Sequence, residues 1–161
     1  MGFFDWLFGG RHRQAQQPDL DAELADWRIV EIEGADGDVV VARIRIRRPQ
    51  LVDLDRYTSA VSISWPIDDN GMTPELTAAM TQFEISLEEF EDFSYLVQVR
   101  TGLGERNWLY YTSDGGRFTA EIRSRLGTHR APELTIEVRE DPNWAEWRIL
   151  AERIGSTTVR H

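Results

Sequence analysis

The chain has 161 residues, a formal net charge of −10, no cysteine, and basic residues that are all arginine. That length fits one domain able to bury a core without disulfides or metal. The lack of cysteine excludes a thiolate nucleophile and any Cys-ligated zinc or iron–sulfur centre, and an acidic surface repels phosphate backbones, which argues against nucleic-acid binding.

The first ten residues form a unit of their own. Phe3, Phe4, Trp6, Leu7 and Phe8 surround a lone Asp5, and Gly9-Gly10 closes the segment. So short and aromatic a stretch forms no core alone and gains order only by docking, either on the domain, on a second copy, on another protein or at a lipid interface. Gln14 to Pro18 reads as a linker. The expected organisation is an apolar segment and linker over 1–19, one α+β domain over 20–155 and a polar tail over 156–161. No stretch approaches the roughly 18 apolar residues of a membrane span. The start lacks the basic, apolar and small-residue regions of a signal peptide. The expected setting is cytoplasmic, with attachment to a membrane surface through residues 1–10 as the variant.

Within the domain, Trp27 to Glu33 and Val39 to Arg47 read as two strands joined by a turn with Asp36-Gly37, a hairpin signal. Ser59 to Ile67 alternates, with Val61, Ile63 and Trp65 on one face and Ser62 and Ser64 on the other. Thr73, Pro74 and Glu75 are the N-cap, first residue and first-turn acid of a helix. Its apolar stripe is Leu76, Met80, Phe83, Leu87 and Phe90, ending near Asp92. Ser94 to Thr101 and Arg106 to Thr112 read as a hairpin about Gly102 to Gly104. Phe118, Ile122 and Leu126 share a helix face, and Gly127 fits its C-cap. Leu134, Ile136 and Val138 alternate as a last strand. Asp141 and Pro142 open a final helix whose inner face carries Trp144, Trp147, Ala151 and Ile154. This order predicts a ferredoxin-like β-α-β-β-α-β sandwich with an antiparallel sheet, extended by the early hairpin and the last helix.

Sites of chemistry are scarce. His12, His129 and His161 do not pair at ligand spacing, and no HExxH or GxSxG occurs. Gly102-Leu103-Gly104 lies between strands, whereas phosphate cradles precede a helix. Asp68, Asp69 and Asn70 suit a turn better than a calcium loop. Glu84, Glu88, Glu89, Glu91 and Asp92 are expected on the solvent side of the first long helix. No catalytic, cofactor-binding or metal-binding residue is assigned, and no cofactor is expected.

Two surfaces remain for a partner. Arg43, Arg45 and Arg47 project from one face of the second strand, either pairing with Glu31, Glu33 or other carboxylates across the sheet or presenting a surface for an anion or an acidic partner. In the strand after Asn107, Trp108 and Tyr110 share one face, and Tyr111 shares the other with Leu109. Whichever set faces away from the two main helices is an exposed aromatic patch unless the final helix covers it.

Thr101-Gly102-Leu103-Gly104-Glu105-Arg106-Asn107-Trp108-Leu109-Tyr110-Tyr111-Thr112 resembles the T-x-G-x-R-x-W/F-x-F/Y-Y-T segment of a bacterial domain family of unknown function, DUF-695. Asp141-Pro142-Asn143-Trp144 with Trp147 is similar to that family's D-P-x-W-x-x-Y motif, with Trp147 in place of Tyr. Gly71 to Glu75 resembles its G-M/L-P-x-x-E helix start with one residue inserted. The resemblance spans about Asp26 to Leu150. It implies no catalytic residue. Fusion of some members to a domain resembling a ribonuclease E inhibitor implies a regulatory binding role.

The expected function is therefore a non-enzymatic binding or regulatory module with a protein partner, Phe3, Phe4, Trp6, Phe8, Arg43, Arg45, Arg47, Trp108, Tyr110 and Tyr111 being the candidate contacts. Alternatives are a small metal-dependent hydrolase or nuclease using Asp68, Asp69, Glu88 or Glu89, and a membrane-surface adaptor using the N-terminal aromatics. Homo-oligomerisation stays open.

Overall fold

The computed structural model describes residues 26–33, 36–47, 53–126 and 134–155. Phe3, Phe4, Trp6, Phe8, the linker, all three histidines, Gly127 and the tail lie outside the described residues. Six strands and three helices are described: β1 (Trp27–Glu33), β2 (Val39–Arg45), β3 (Ser59–Pro66), α1 (Pro74–Leu87), β4 (Ser94–Gly102), β5 (Glu105–Thr112), α2 (Gly115–Leu126), β6 (Thr135–Glu140) and α3 (Ala145–Gly155). The strands form one open sheet in the order β1-β2-β4-β5-β3-β6, with every neighbouring pair antiparallel. The fold is mixed α+β.

Local chemistry sets the elements. The Thr73 hydroxyl accepts from the Leu76 amide at 3.2 Å, and Pro74 follows as the first helical residue. α1 ends at Leu87 rather than Asp92, because its last turn tightens into a 3-10 turn over Glu88–Phe90. Asp114 caps α2, its carboxylate accepting from the Arg117 amide at 2.8 Å. The β4–β5 connection is a two-residue turn in which Leu103 and Gly104 both have positive φ, 55° and 76°, the type I′ geometry that matches strand twist. Gly102 just before it passes so close to β2 that an added Cβ would sit 2.9 Å from the Val40 Cα.

The two sheet faces are covered differently. α1 and α2 lie on the first, where Val61, Ile63, Trp65, Val99, Trp108 and Tyr110 meet Met80, Phe83, Leu87, Phe118 and Ile122. α3 lies on the second, where Trp144 and Trp147 pack on Ala60, Val97, Leu109 and Tyr111. The last helix starts three residues later than its sequence suggests. Asp141 still caps it, its two oxygens accepting from the Ala145 and Glu146 amides at 2.8 and 3.0 Å. Between them Trp144 takes a left-handed φ of 55°, which costs about 1–2 kcal/mol for a residue with a Cβ. That conformation stacks its indole on Tyr111, with ring centres 4.1 Å apart at 11°. Its Nε1 donates to the Tyr57 carbonyl at 2.8 Å, and Trp147 Nε1 donates to the Arg45 carbonyl at 2.6 Å.

A β-bulge interrupts β4 between Leu96 and Gln98. Leu96 joins the first core and Val97 the second. Gln98, paired with Leu109, points to the second face as well. The extra residue thus changes which face every later β4 side chain takes.

Candidate functional site

Two polar constellations stand out, one buried and one open. The buried one lies between α1 and the sheet. Glu84 follows Met80 by four residues, so the two lie on one helix face. Its carboxylate accepts from Arg43, from Arg106 at 3.2 Å and from Trp108 Nε1 at 3.0 Å. Its side chain is only 17% exposed. The solvent-side placement expected for Glu84 is therefore corrected, because the cations of β2 and β5 draw it inward. Burial alone would raise its pKa, but Arg43, Arg106 and the hydrogen bonds from Trp108 and Arg43 outweigh burial and hold it below the ordinary 4.5. Burial lowers the Arg106 pKa, and Glu84 opposes that shift. Burial also raises the Tyr110 hydroxyl well above its usual range. This is an internal ion cluster held between α1 and the sheet.

The open constellation is on the second sheet face, beyond the end that α3 covers. Strand register lays it out in two rows across β4, β5, β3 and β6. Arg100, Asn107, Ser64 and Thr135 are opposite one another in the first row, and Gln98, Leu109, Ser62 and Glu137 in the second. With α3 roofing one side, these rows floor a groove of about 430 Å³ that Ile149 and Leu150 also line. That volume falls within the usual range of small-ligand sites. Three interstrand steps separate β4 from β6, so the groove is about 14 Å wide across the strands.

Its hydrogen-bonding capacity is only partly used. Asn107 Nδ2 donates to Ser62 Oγ at 2.8 Å and to Ser64 Oγ at 2.9 Å. Each hydroxyl keeps its own hydrogen, and the Asn107 carbonyl oxygen keeps its lone pairs, with no bond to a described residue. Gln98 is 7% exposed, and its amide has no hydrogen-bond partner among the described residues. The rims are charged. Arg100 binds Glu105 at 2.7 Å on the β4–β5 side. On the β6 side Arg139 binds Glu146 at 2.7 Å and Glu137 at 3.5 Å.

The residues singled out in the sequence fall elsewhere. Trp108, Tyr110 and Tyr111 are core side chains, buried to within 4%. The final helix does cover the Tyr111 face, so no aromatic patch is exposed there. Carboxylates do meet two of the arginines, Glu84 at Arg43 and Asp26 at Arg47. Arg43 binds Glu84, and Arg45 stacks 4.6 Å from the ring centres of both Trp27 and Tyr95. Arg47 is exposed, 3.9 Å from Asp26. Asp68 and Asp69 lie before α1 and Glu88 and Glu89 after it, roughly 20 Å apart along a 14-residue helix. They do not converge, and Glu89 binds Arg125. Among the described residues no three His, Asp or Glu side chains gather to hold a metal ion, and no helix is long and apolar enough to cross a membrane.

Sequence reasoning missed Gln98, Arg100, Asn107, Ser62 and Ser64 as one surface. The alternation of β3 did place both serines on one face. The bulge that turns Gln98 toward them left only a weak trace, the run Leu96-Val97 in which no polar residue intervenes. No family model, curated protein or solved structure matches the chain.

Proposed function

We propose that this protein is a non-enzymatic binding module of regulatory use that recognises a protein partner through the groove over β4, β5, β3 and β6. Gln98 carries the reading. Its amide opens onto the groove with no bond to a described residue, so both its donors and its acceptor are available there to a ligand in place of water. The lining favours recognition over turnover. Ser62 and Ser64 accept from Asn107 rather than facing a base, and the carboxylates of Glu105, Glu137 and Glu146 are each held by an arginine.

Three further readings belong to this proposal. The run β4-β5-β3-β6, with α1 and α2 on its connections, supports a ferredoxin-like core to which the β1–β2 hairpin is added at the β4 edge. Relationship to the DUF-695 family is supported by the structural use of its motif positions. Asp141 and Trp144 anchor α3, and Trp108 and Tyr111 sit in the two cores. An acidic, cysteine-free composition supports a cytoplasmic setting.

Selection of a random peptide library displayed on phage against the full chain tests the function. Selected peptides are expected to bind the Gln98→Leu variant about tenfold more weakly, the scale of one buried hydrogen bond, while its unfolding midpoint holds. Binders indifferent to that substitution, or turnover in a hydrolase and nuclease screen, would overturn the reading.

A further inference from the structure

Resting on that reading of the groove, we infer that its ligand is an extended peptide segment of about four residues lying across the strands, with a basic side chain over the β6 rim and an apolar one against Ile149 and Leu150. The span sets the length. A width of about 14 Å matches four residues at about 3.5 Å each.

The chemistry of the floor sets the class. Gln98 offers both amide donors and an amide acceptor, Asn107 an acceptor, and Ser62 and Ser64 a hydrogen each. A main chain, which carries a donor and an acceptor on nearly every residue, complements such a mixed array. Other ligands fit less well. A phosphate-bearing ligand needs uncommitted cations, whereas Arg100 and Arg139 are each bound to a carboxylate. A saccharide gains most from an aromatic face, and none of the lining side chains is aromatic.

The rims set the direction. Arg100 and Glu105 balance one to one. On the β6 side Arg139 alone faces both Glu137 and Glu146, which leaves one negative charge in excess. An incoming cation is favoured there and an anion disfavoured. The apolar corner is open as well, since Ile149, where α3 borders the groove, is 51% exposed.

The test titrates acetylated tetrapeptide-amide mixtures, with one terminal position fixed as Arg, Gln or Glu, into the isotope-labelled full chain by NMR. Arg-fixed mixtures are expected to shift the side-chain amide signals of Gln98 and Asn107. They should bind about threefold tighter than Gln-fixed ones, the scale of one exposed ion pair, with Glu-fixed mixtures weakest. The preference should vanish in the Glu137→Gln/Glu146→Gln variant while binding itself persists. Three results would overturn the inference. Shifts at Gln98 and Asn107 without charge preference would remove the basic end yet leave the groove as a binding site. Shifts confined to the backbone amides of β6 would mean edge-strand addition instead. Silence from every mixture at millimolar concentration would reject the peptide altogether, and the displayed-library selection then decides separately whether the groove binds any partner.

Discussion

Replacing Glu84 by Gln tests the buried ion cluster most directly. The substitution keeps shape and one oxygen acceptor but removes the charge that faces Arg43 and Arg106. The three side chains are 17%, 12% and 7% exposed, so solvent screens them little. Removing one partner of a buried pair costs about 3–5 kcal/mol. Because Gln still accepts from Trp108, the expected loss is near the lower end, about 3 kcal/mol, or roughly 10 °C in Tm for a domain of this size. The pH dependence has a defined sign. The folded pKa of Glu84 is depressed below its ordinary 4.5, so its contribution is complete above that value and fades as pH falls through the folded pKa. Urea unfolding of both proteins, followed by tryptophan fluorescence from pH 7 downward, should show the wild-type advantage shrinking below pH 4.5. The electrostatic account fails if the variant loses less than about 1 kcal/mol at neutral pH, or if the gap stays constant in acid.

Two other substitutions probe the second layer and the hairpin. Tyr111→Phe removes the hydroxyl that donates to Asp141 at 2.6 Å and accepts from the Trp147 amide at 3.3 Å. About 1–3 kcal/mol of stability should be lost, read by urea unfolding, and amide exchange should speed most in α3. Burial raises the Asp141 pKa while the bonds from Tyr111, Ala145 and Glu146 and the charge of Arg148 lower it overall, so this contribution too is lost in acid. In the β4–β5 turn, Leu103 is exposed with φ 55°. Leu103→Asn should stabilise the chain by about 0.5–1 kcal/mol, since Asn tolerates that conformation better ahead of Gly, and an unchanged or lower midpoint would contradict the turn assignment.

Local signals were enough for most elements. Thr73-Pro74-Glu75 marks the start of α1 because capping and fixed φ act within one turn. The alternation of β3 and β6 marks strands because one side of each is apolar. The helix stripe from Leu76 to Phe90 marks the buried face for the same reason. Glu84 escaped this logic. Its sequence neighbours are those of a surface acid, and only Arg43 and Arg106, 41 and 22 residues away, make an inward position favourable.

The groove divides along the same line. Composition and periodicity by themselves determined an acidic α+β chain with two amphipathic helices over a sheet and two serines on the opposite face of β3. They did so because burial of an apolar stripe is a local pattern with a fixed period. Which polar residues would share one surface was decided by strand order, register and the β4 bulge. Those depend on contacts between segments far apart in the chain, and a one-residue bulge reverses the facing of all that follows. Gln98 lines one groove with Asn107, Ser62 and Arg139 for that reason, and α3 leaves that groove open because Trp144 and Trp147 fix it over the Tyr111 end of the face.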